Sequence, residues 1–198
     1  MTHPLQARVH RNRRLTLLIN VRSRRGAALH RAARTGLEAG GWTIDAEYLI
    51  SDPAGQLPEL LPRLAAEQPD LLVVGSGDGT VSHVVHHLAH TSTVLGYLPL
   101  GTTNNSGRSL GLPLTLTRAL EVINQGIVAD IDLGRVDDRY FANLVSIGVS
   151  GEVAGRDALR GARIAMMKSS LSVSRRRSKP TGPTCGTGCR CAPPRRHR

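Results

Sequence analysis

The chain has 198 residues, which is enough for one full domain and the beginning of a second. Only 3% of the residues are aromatic whereas 40% are hydrophobic, so the predicted core consists mainly of Leu, Val, Ile and Ala. The sequence has no run of about 18 apolar residues and no apolar segment near its N-terminus. This pattern excludes a membrane-spanning helix and a secretory signal, and it predicts a cytoplasmic protein.

The formal net charge of +11 is concentrated at the two ends of the chain. Residues 1–14 contain four Arg and residues 174–198 contain seven Arg and one Lys, whereas neither end contains an acidic residue. The remaining part, residues 15–173, is close to neutral. We therefore expect solvated basic ends rather than a surface that binds a specific nucleic acid, with peripheral contact to anionic lipid as the alternative.

Short apolar segments alternate with amphipathic ones along most of the chain. Strands that alternate with helices indicate βαβ units, and we predict an α/β fold with a three-layer, doubly wound, mostly parallel sheet. Loops that follow parallel strands lie at one edge of such a sheet, where ligands bind. The predicted strands are residues 15–21, 43–50, 70–74, 94–98, 127–133 and 140–147, and the predicted helices are 27–39, 56–67, 81–89 and 114–124.

The first candidate binding loop, residues 75–80, has the sequence GSGDGT and lies between a predicted strand and a predicted helix. Three glycines allow close approach of the backbone to a ligand, and N–H groups ahead of a helix bind anions. A plain strand-to-helix turn is the alternative, although one glycine would suffice for it. The solitary carboxylate of Asp78 favours linkage to Mg²⁺ or a role as a general base.

Two common nucleotide-binding motifs do not match this loop. A P-loop requires Lys, but the first Lys of the chain is Lys168. A dinucleotide-binding fingerprint requires a third Gly at position 80 and an acidic residue about 20 positions later. Position 80 is Thr, and residues 79–120 contain neither Asp nor Glu.

The second candidate loop, residues 99–108, has the sequence PLGTTNNSGR and follows the strand predicted at 94–98. It offers hydroxyl and amide groups, and the guanidinium of Arg108 suits phosphate recognition. Taken alone, this loop would be an ordinary polar turn. Both candidate loops follow predicted strands, so we expect them at the same edge of the sheet.

The two loops and their spacing together resemble the catalytic domain family of diacylglycerol kinases and sphingosine kinases, and soluble bacterial lipid kinases in particular. The resemblance covers about residues 14–165 and includes Asn20, the segment 132–134 (DLG) and the segment 140–143 (YFAN). It implies an α/β nucleotide-binding domain followed by a β-sandwich domain, with ATP and Mg²⁺ in the cleft between them. The implied substrate is a lipid alcohol such as diacylglycerol.

The resemblance also implies roles for individual residues. Asp78 is the predicted catalytic residue, because the matching acid handles Mg²⁺ and phosphate and in some members acts as a base. No protein-only metal site is predicted. The predicted nucleotide-binding residues are Asn20, Gly75, Gly77, Gly79, Thr80, Gly101, Thr102, Asn104 and Arg108.

The chain departs from the family pattern at several positions. Ser82-His83 replaces an Asn-Glu pair, and Ser106-Gly107 replaces Phe and Ala. His83, His86, His87 and His90 have helical spacing, for which a solvated or locally packed helix face is favoured over a metal site. Beyond Ser169 the sequence has no acidic or aromatic residue, and its three Cys lack a fourth ligand at zinc-like spacing.

We therefore predict a basic segment 1–14, a nucleotide-binding domain 15–135, the start of a second domain at 136–168 and a disordered tail 169–198. The β-sandwich domain is expected to be absent or only begun, so a lipid kinase without activity in this form is the leading hypothesis. A noncatalytic truncated or frame-shifted fragment that binds nucleotide weakly is the second, and an enzyme related to NAD kinase is the third. The sequence does not indicate the oligomeric state.

Overall fold

A computed structural model describes residues 3–136, 138–142 and 162–167. Within these ranges strands and helices alternate as the sequence predicts, and three elements are additional: the helices Pro4–Asn12 and Asn105–Ser109 and the strand Ala162–Met167. In chain order they are α1 (Pro4–Asn12), β1 (Arg14–Asn20), α2 (Gly26–Ala39), β2 (Thr43–Ile50), α3 (Pro53–Glu67), β3 (Leu71–Ser76), α4 (Asp78–Leu88), β4 (Val94–Pro99), α5 (Asn105–Ser109), α6 (Leu116–Gln125), β5 (Val128–Val136), β6 (Arg139–Phe141) and β7 (Ala162–Met167).

The described strands form one sheet in the order β2-β1-β3-β4-β7-β5-β6. The pairs β1–β2, β1–β3 and β3–β4 are parallel, whereas β5 runs antiparallel to both β6 and β7. The predicted α/β class with a mostly parallel sheet is thus confirmed. The segment expected to begin a second domain contributes β7 to this same sheet, next to β4. The predicted tail, the last part of the strand predicted at 140–147 and Asn143 lie outside the described residues.

Alternation of side chains along the central strands separates two apolar clusters, one on each face of the sheet. Leu72 and Val74 of β3 belong to the cluster that also contains the buried residues of α3 and α4. Leu71 and Val73 belong to the cluster that contains the buried residues of α2 and α6. Consecutive side chains of a strand point to opposite faces, so both faces of the sheet are covered by helices. This arrangement is the predicted three-layer architecture.

Local sequence explains where the covering helices lie. In α3 the buried residues Leu57, Leu60, Leu61 and Leu64 recur at the spacing of one helix face, and Pro53 begins the helix where a missing N–H is harmless. Helix α6 ends at Gly126, whose φ of 67° lies in the left-handed region that glycine tolerates.

The prediction that residues 1–14 form a solvated basic segment is wrong for residues 4–12, which form α1. Val9 is fully buried in the same cluster as α2, and Arg8 pairs with Asp70 at 2.8 Å. Gln6 accepts a hydrogen bond from the backbone N–H of Val128. The partners that hold α1 are more than 50 residues away in sequence, so its local composition gave no signal of this packing.

Candidate active site

The two glycine-rich loops meet where β3 and β4 end. A side chain at Gly101 would place its Cβ 2.5 Å from the Cα of Gly77 and 2.8 Å from Oδ1 of Asn104, so only glycine fits there without a shift of the backbone. A Cβ at Gly77 would lie 3.2 Å from the Cα of Gly101. The backbones of the two loops are therefore in direct contact, which brings both candidate phosphate-binding segments to one place.

Asp78 connects the first loop to the second. It is the first residue of α4, and one oxygen of its carboxylate accepts a hydrogen bond from the backbone N–H of Ser106 at 2.7 Å. The other oxygen accepts from the backbone N–H of Asn105 at 3.0 Å and from the hydroxyl of Thr103 at 3.1 Å. The carboxylate thus lies at the N-terminus of the short helix α5, where backbone N–H groups lack partners within the helix.

These contacts determine the protonation of Asp78. Its partial burial by itself raises the pKa, but the hydrogen bonds from the backbone of Ser106 and Asn105 outweigh burial and bring the pKa of Asp78 below its ordinary value of 3.8. Hydrogen bonds to the charged form of a carboxylate have this effect. Asp78 is therefore ionised at neutral pH.

Thr80 is held from the end of β1. The amide of Asn20 donates a hydrogen bond of 2.8 Å to the hydroxyl of Thr80, and both residues are buried. The Asn20 side-chain oxygen accepts from the backbone N–H of Arg22. Asn20 thus fixes the loop that follows β1 as well as the start of α4, so three strand ends contribute to the site.

Asn104 stabilises the second loop, to which it belongs, through hydrogen bonds of its buried side chain. It adopts a left-handed conformation with φ 48°, and its side-chain oxygen accepts hydrogen bonds from the N–H of Gly101 at 3.0 Å and the hydroxyl of Tyr97 at 3.1 Å. Burial, reinforced by the negative charge of Asp78, raises the pKa of Tyr97 well above its ordinary value. Tyr97 therefore stays protonated and keeps donating to Asn104.

A cleft of about 830 Å³ opens beside the two loops. One wall is apolar and belongs to α3, with Pro53, Ala54, Leu57, Pro58 and Leu61. The opposite side belongs to the first loop and to His83, His86 and His87 of α4. Among the described residues that line the cleft, Asp78 is the single carboxylate, whereas Arg22, Arg24 and Arg139 contribute guanidinium groups.

The structure places most of the predicted site residues in this cleft but separates three from it. Gly75 is buried in β3, where a side chain would collide with Ile19 and Leu100, and Asn104 is buried behind the second loop. Arg108, predicted to recognise phosphate, is exposed and donates its Nε–H to the carbonyl of Thr103 at 3.0 Å. The predicted residues that line the cleft are Asn20, Gly77, Asp78, Gly79, Thr80, Gly101 and Thr102.

A family model with the description "Diacylglycerol kinase catalytic domain" matches residues 14–136. This range contains both glycine-rich loops and the strands β1, β3 and β4, whose ends form the site. The chain belongs to the diacylglycerol kinase catalytic domain family. The match begins at β1, after α1, and it ends before Arg139.

Relatives of this diacylglycerol kinase family domain agree with the match. A diacylglycerol kinase of Staphylococcus carnosus is 37% identical over 94 residues, which are 46% of this chain and 31% of that protein. One of Staphylococcus epidermidis is 37% identical over 120 residues, which are 60% of this chain and 37% of that protein. The chain thus matches well under half the length of these relatives.

Solved structures show the same fold. The crystal structure of a diacylglycerol kinase from Bacillus anthracis is similar with a TM-score of 0.55 at 22% identity, and the match covers 65% of this chain and 45% of that one. None of the helices within the described residues is long and apolar enough to cross a membrane.

The side chains that line the cleft could hold Mg²⁺ only in combination with phosphate. No group of three or more His, Cys, Asp or Glu side chains within the described residues could hold a metal ion alone. Mg²⁺ is commonly held by one or two carboxylates together with substrate phosphates, which suits the single ionised carboxylate of Asp78. Of the four histidines with helical spacing, His83, His86 and His87 lie on α4, whereas His90 lies beyond its end. His90 contacts the hydroxyl of Tyr140, and His86 accepts from the N–H of Tyr140.

Proposed function

We propose that the cleft binds ATP together with Mg²⁺ and that the chain carries the nucleotide-binding part of a lipid kinase. The observation that supports this most is the direct contact of two glycine-rich loops beside an ionised, hydrogen-bonded carboxylate. Backbone N–H groups at the start of a helix favour phosphate, and Gly79 leaves open space because a Cβ there would have no atom within 4 Å. The apolar wall of α3 provides a surface for the nucleotide base.

The proposed reaction transfers the γ-phosphoryl group of ATP to a lipid alcohol such as diacylglycerol. A bond forms between the hydroxyl oxygen of the lipid and the γ-phosphorus, the bond from that phosphorus to the β,γ-bridging oxygen breaks, and ADP leaves. The hydroxyl proton is released to a base or to solvent. When bound, Mg²⁺ would neutralise charge on the phosphates, which is the main requirement of phosphoryl transfer.

Asp78 is proposed to act by positioning and charge rather than as a general base. A carboxylate whose pKa lies below 3.8 is a weak proton acceptor at neutral pH. Its hydrogen bonds to the second loop fix the position of the carboxylate beside the cleft, where its charge would attract a bound cation.

Calorimetry tests nucleotide binding directly. We expect the chain to bind ATP in the presence of Mg²⁺, and we expect Asp78→Asn to weaken Mg²⁺-dependent binding by about tenfold or more, the loss expected of one charged contact. Glu121→Gln, which removes an exposed carboxylate on α6, is the matched control. Absence of heat and of a thermal shift at millimolar ATP and Mg²⁺ would reject the proposal.

Phosphate transfer is measured separately, from labelled ATP to diacylglycerol in mixed micelles. We expect no turnover by the 198-residue chain, because the cleft is open among the described residues, whereas transfer needs the acceptor held close to the phosphate with water excluded. Robust turnover would contradict this expectation. A variant without residues 174–198 then tests peripheral membrane contact, since loss of turnover on deletion would favour lipid docking by the basic tail.

A further inference from the structure

Arg139 lies in the cleft although neither loop motif contains it. It is the first residue of β6, which pairs antiparallel with the end of β5 through Val136 and Arg139. Because β6 follows residue 136, Arg139 also lies beyond the part of the chain that the family model matches. It lines the same cleft as Gly77, Asp78 and Thr80.

The neighbouring residue, Tyr140, fixes β6 to the helix that carries the phosphate-binding loop. Its backbone N–H donates to Nδ1 of His86 at 3.3 Å, and its hydroxyl lies 2.9 Å from Nε2 of His90. The Tyr140 ring stacks on His86, with ring centres 6.3 Å apart, and meets the edge of His90 at 5.2 Å. The backbone of β6, and with it residue 139, is thereby fixed against the C-terminal half of α4.

The charge of Arg139 is not neutralised within the described part of the chain, where it forms no ion pair. The same is true of Arg22 and Arg24, the other two arginines of the cleft. Three guanidinium groups and the single carboxylate of Asp78 line the cleft, so its described lining carries a net positive charge that favours an anionic ligand. Arginine also presents several donors in a planar fork, which matches the oxygens of phosphate.

We propose that Arg139, held against α4 by Tyr140, binds the polyphosphate of the nucleotide in the cleft. This inference rests on the proposed function, because it adds a binding residue to the same site. It assigns to β6 the role that the sequence assigned to Arg108, whose guanidinium contacts the Thr103 carbonyl outside the cleft.

The test measures binding of ATP with Mg²⁺, and of inorganic tripolyphosphate, by calorimetry on the full chain. We expect Arg139→Gln to weaken both ligands by about tenfold, the loss that corresponds to a charged hydrogen bond of about 1.4 kcal/mol. Arg139→Lys keeps the charge and should weaken them less. Arg118→Gln, which removes an exposed arginine from α6, is the control and should leave both affinities unchanged.

Tyr140→Ala provides a second, independent measurement. If Tyr140 acts only by positioning Arg139, the double variant Tyr140→Ala with Arg139→Gln should bind tripolyphosphate no more weakly than Arg139→Gln alone. Additive losses in the double variant would contradict the positioning role.

The outcomes separate this inference from the proposed function. Tight binding by the wild type and by Arg139→Gln alike would overturn the inference and leave the proposed function intact. Equal weakening in the Gln and Lys variants together with a lowered unfolding temperature would show a structural role, and would also overturn it. Failure of the wild type to bind either ligand would overturn both.

Discussion

The sheet has one edge where β3 and β4 begin and another where they end, and the arginines at these two edges differ in whether they form ion pairs. At the edge where β3 and β4 begin, α1 lies across the strand starts, and Arg8 pairs with Asp70 and also donates to the Ser92 carbonyl at 2.6 Å. At the edge where these strands end, Arg22 and Arg139 line a cleft without an ion pair to any described residue. The comparison indicates that paired cations hold the fold at one edge, whereas the unpaired ones are available to a ligand at the other.

The largest effect is expected from Gly101→Ala, at the contact between the two loops. The new Cβ would lie 2.5 Å from the Cα of Gly77, so one loop must move. Overpacking of this kind lowers the free energy of unfolding by about 1–3 kcal/mol. We also expect ATP binding to become undetectable by calorimetry, because both loops are displaced. Unchanged affinity would show that contact between the loops does not matter for binding.

At the opposite edge, Asp70→Ala should affect stability alone. Asp70 forms an ion pair with Arg8 at 2.8 Å and accepts a hydrogen bond from the amide of Asn12 at 2.6 Å, so its loss removes two contacts of α1. We expect the free energy of unfolding to fall by about 1–2 kcal/mol, because these contacts are partly exposed. Urea denaturation measures this change. A parallel loss of ATP affinity would contradict the division between the edges.

A smaller effect with opposite signs for stability and binding is expected from Gly79→Ala. Gly79 lies in the first turn of α4, and a Cβ there would contact nothing within 4 Å. Replacing this glycine should therefore raise the free energy of unfolding by about 0.4–1 kcal/mol. If phosphate approaches the backbone of Gly79, the added methyl group should weaken ATP binding in calorimetry. Stronger or unchanged binding would place the phosphates elsewhere.

The smallest effect concerns the dependence of stability on pH. The pKa of Asp78 lies below its ordinary value of 3.8, so its contribution to stability is complete above that pH and is lost as pH falls through the folded-state pKa. Asp78→Asn should therefore be less sensitive to acid below about pH 4. Unfolding temperatures measured between pH 2 and 6 check this. An identical slope in both proteins would show that the hydrogen bonds to Asp78 do not stabilise its charged form.

Much of this molecule follows from local sequence, and the exceptions have a common cause. The strands β1 to β4 are short apolar segments separated by amphipathic helices, so the sequence predicts them. Both glycine-rich loops follow such strands, which predicts that the loops lie at the same edge of the sheet. Helix α1 and strand β7 depend on partners far away in sequence, such as Asp70 and Val128, and the local sequence did not predict either element.

The candidate site shows the same limit at the level of single residues. The glycines and Asp78 could be predicted because a glycine-rich loop with a single carboxylate is recognisable from the local sequence. Arg139 could not, since it reaches the cleft through the β5–β6 pairing and the contacts of Tyr140 with α4. For Arg108 phosphate binding stays a prediction: the residue is exposed, and its Nε–H donates to the carbonyl of Thr103.

The most direct test of the account is a residue-by-residue map of the ATP site on the folded chain. Amide chemical shifts recorded by NMR with increasing ATP and Mg²⁺ locate the ligand without any substitution. We predict that the largest changes fall on residues 77–80 and 101–102, with a further change at Arg139 and little change in α1. Changes centred on α1, or spread evenly over both edges of the sheet, would contradict the assignment of the nucleotide to the cleft.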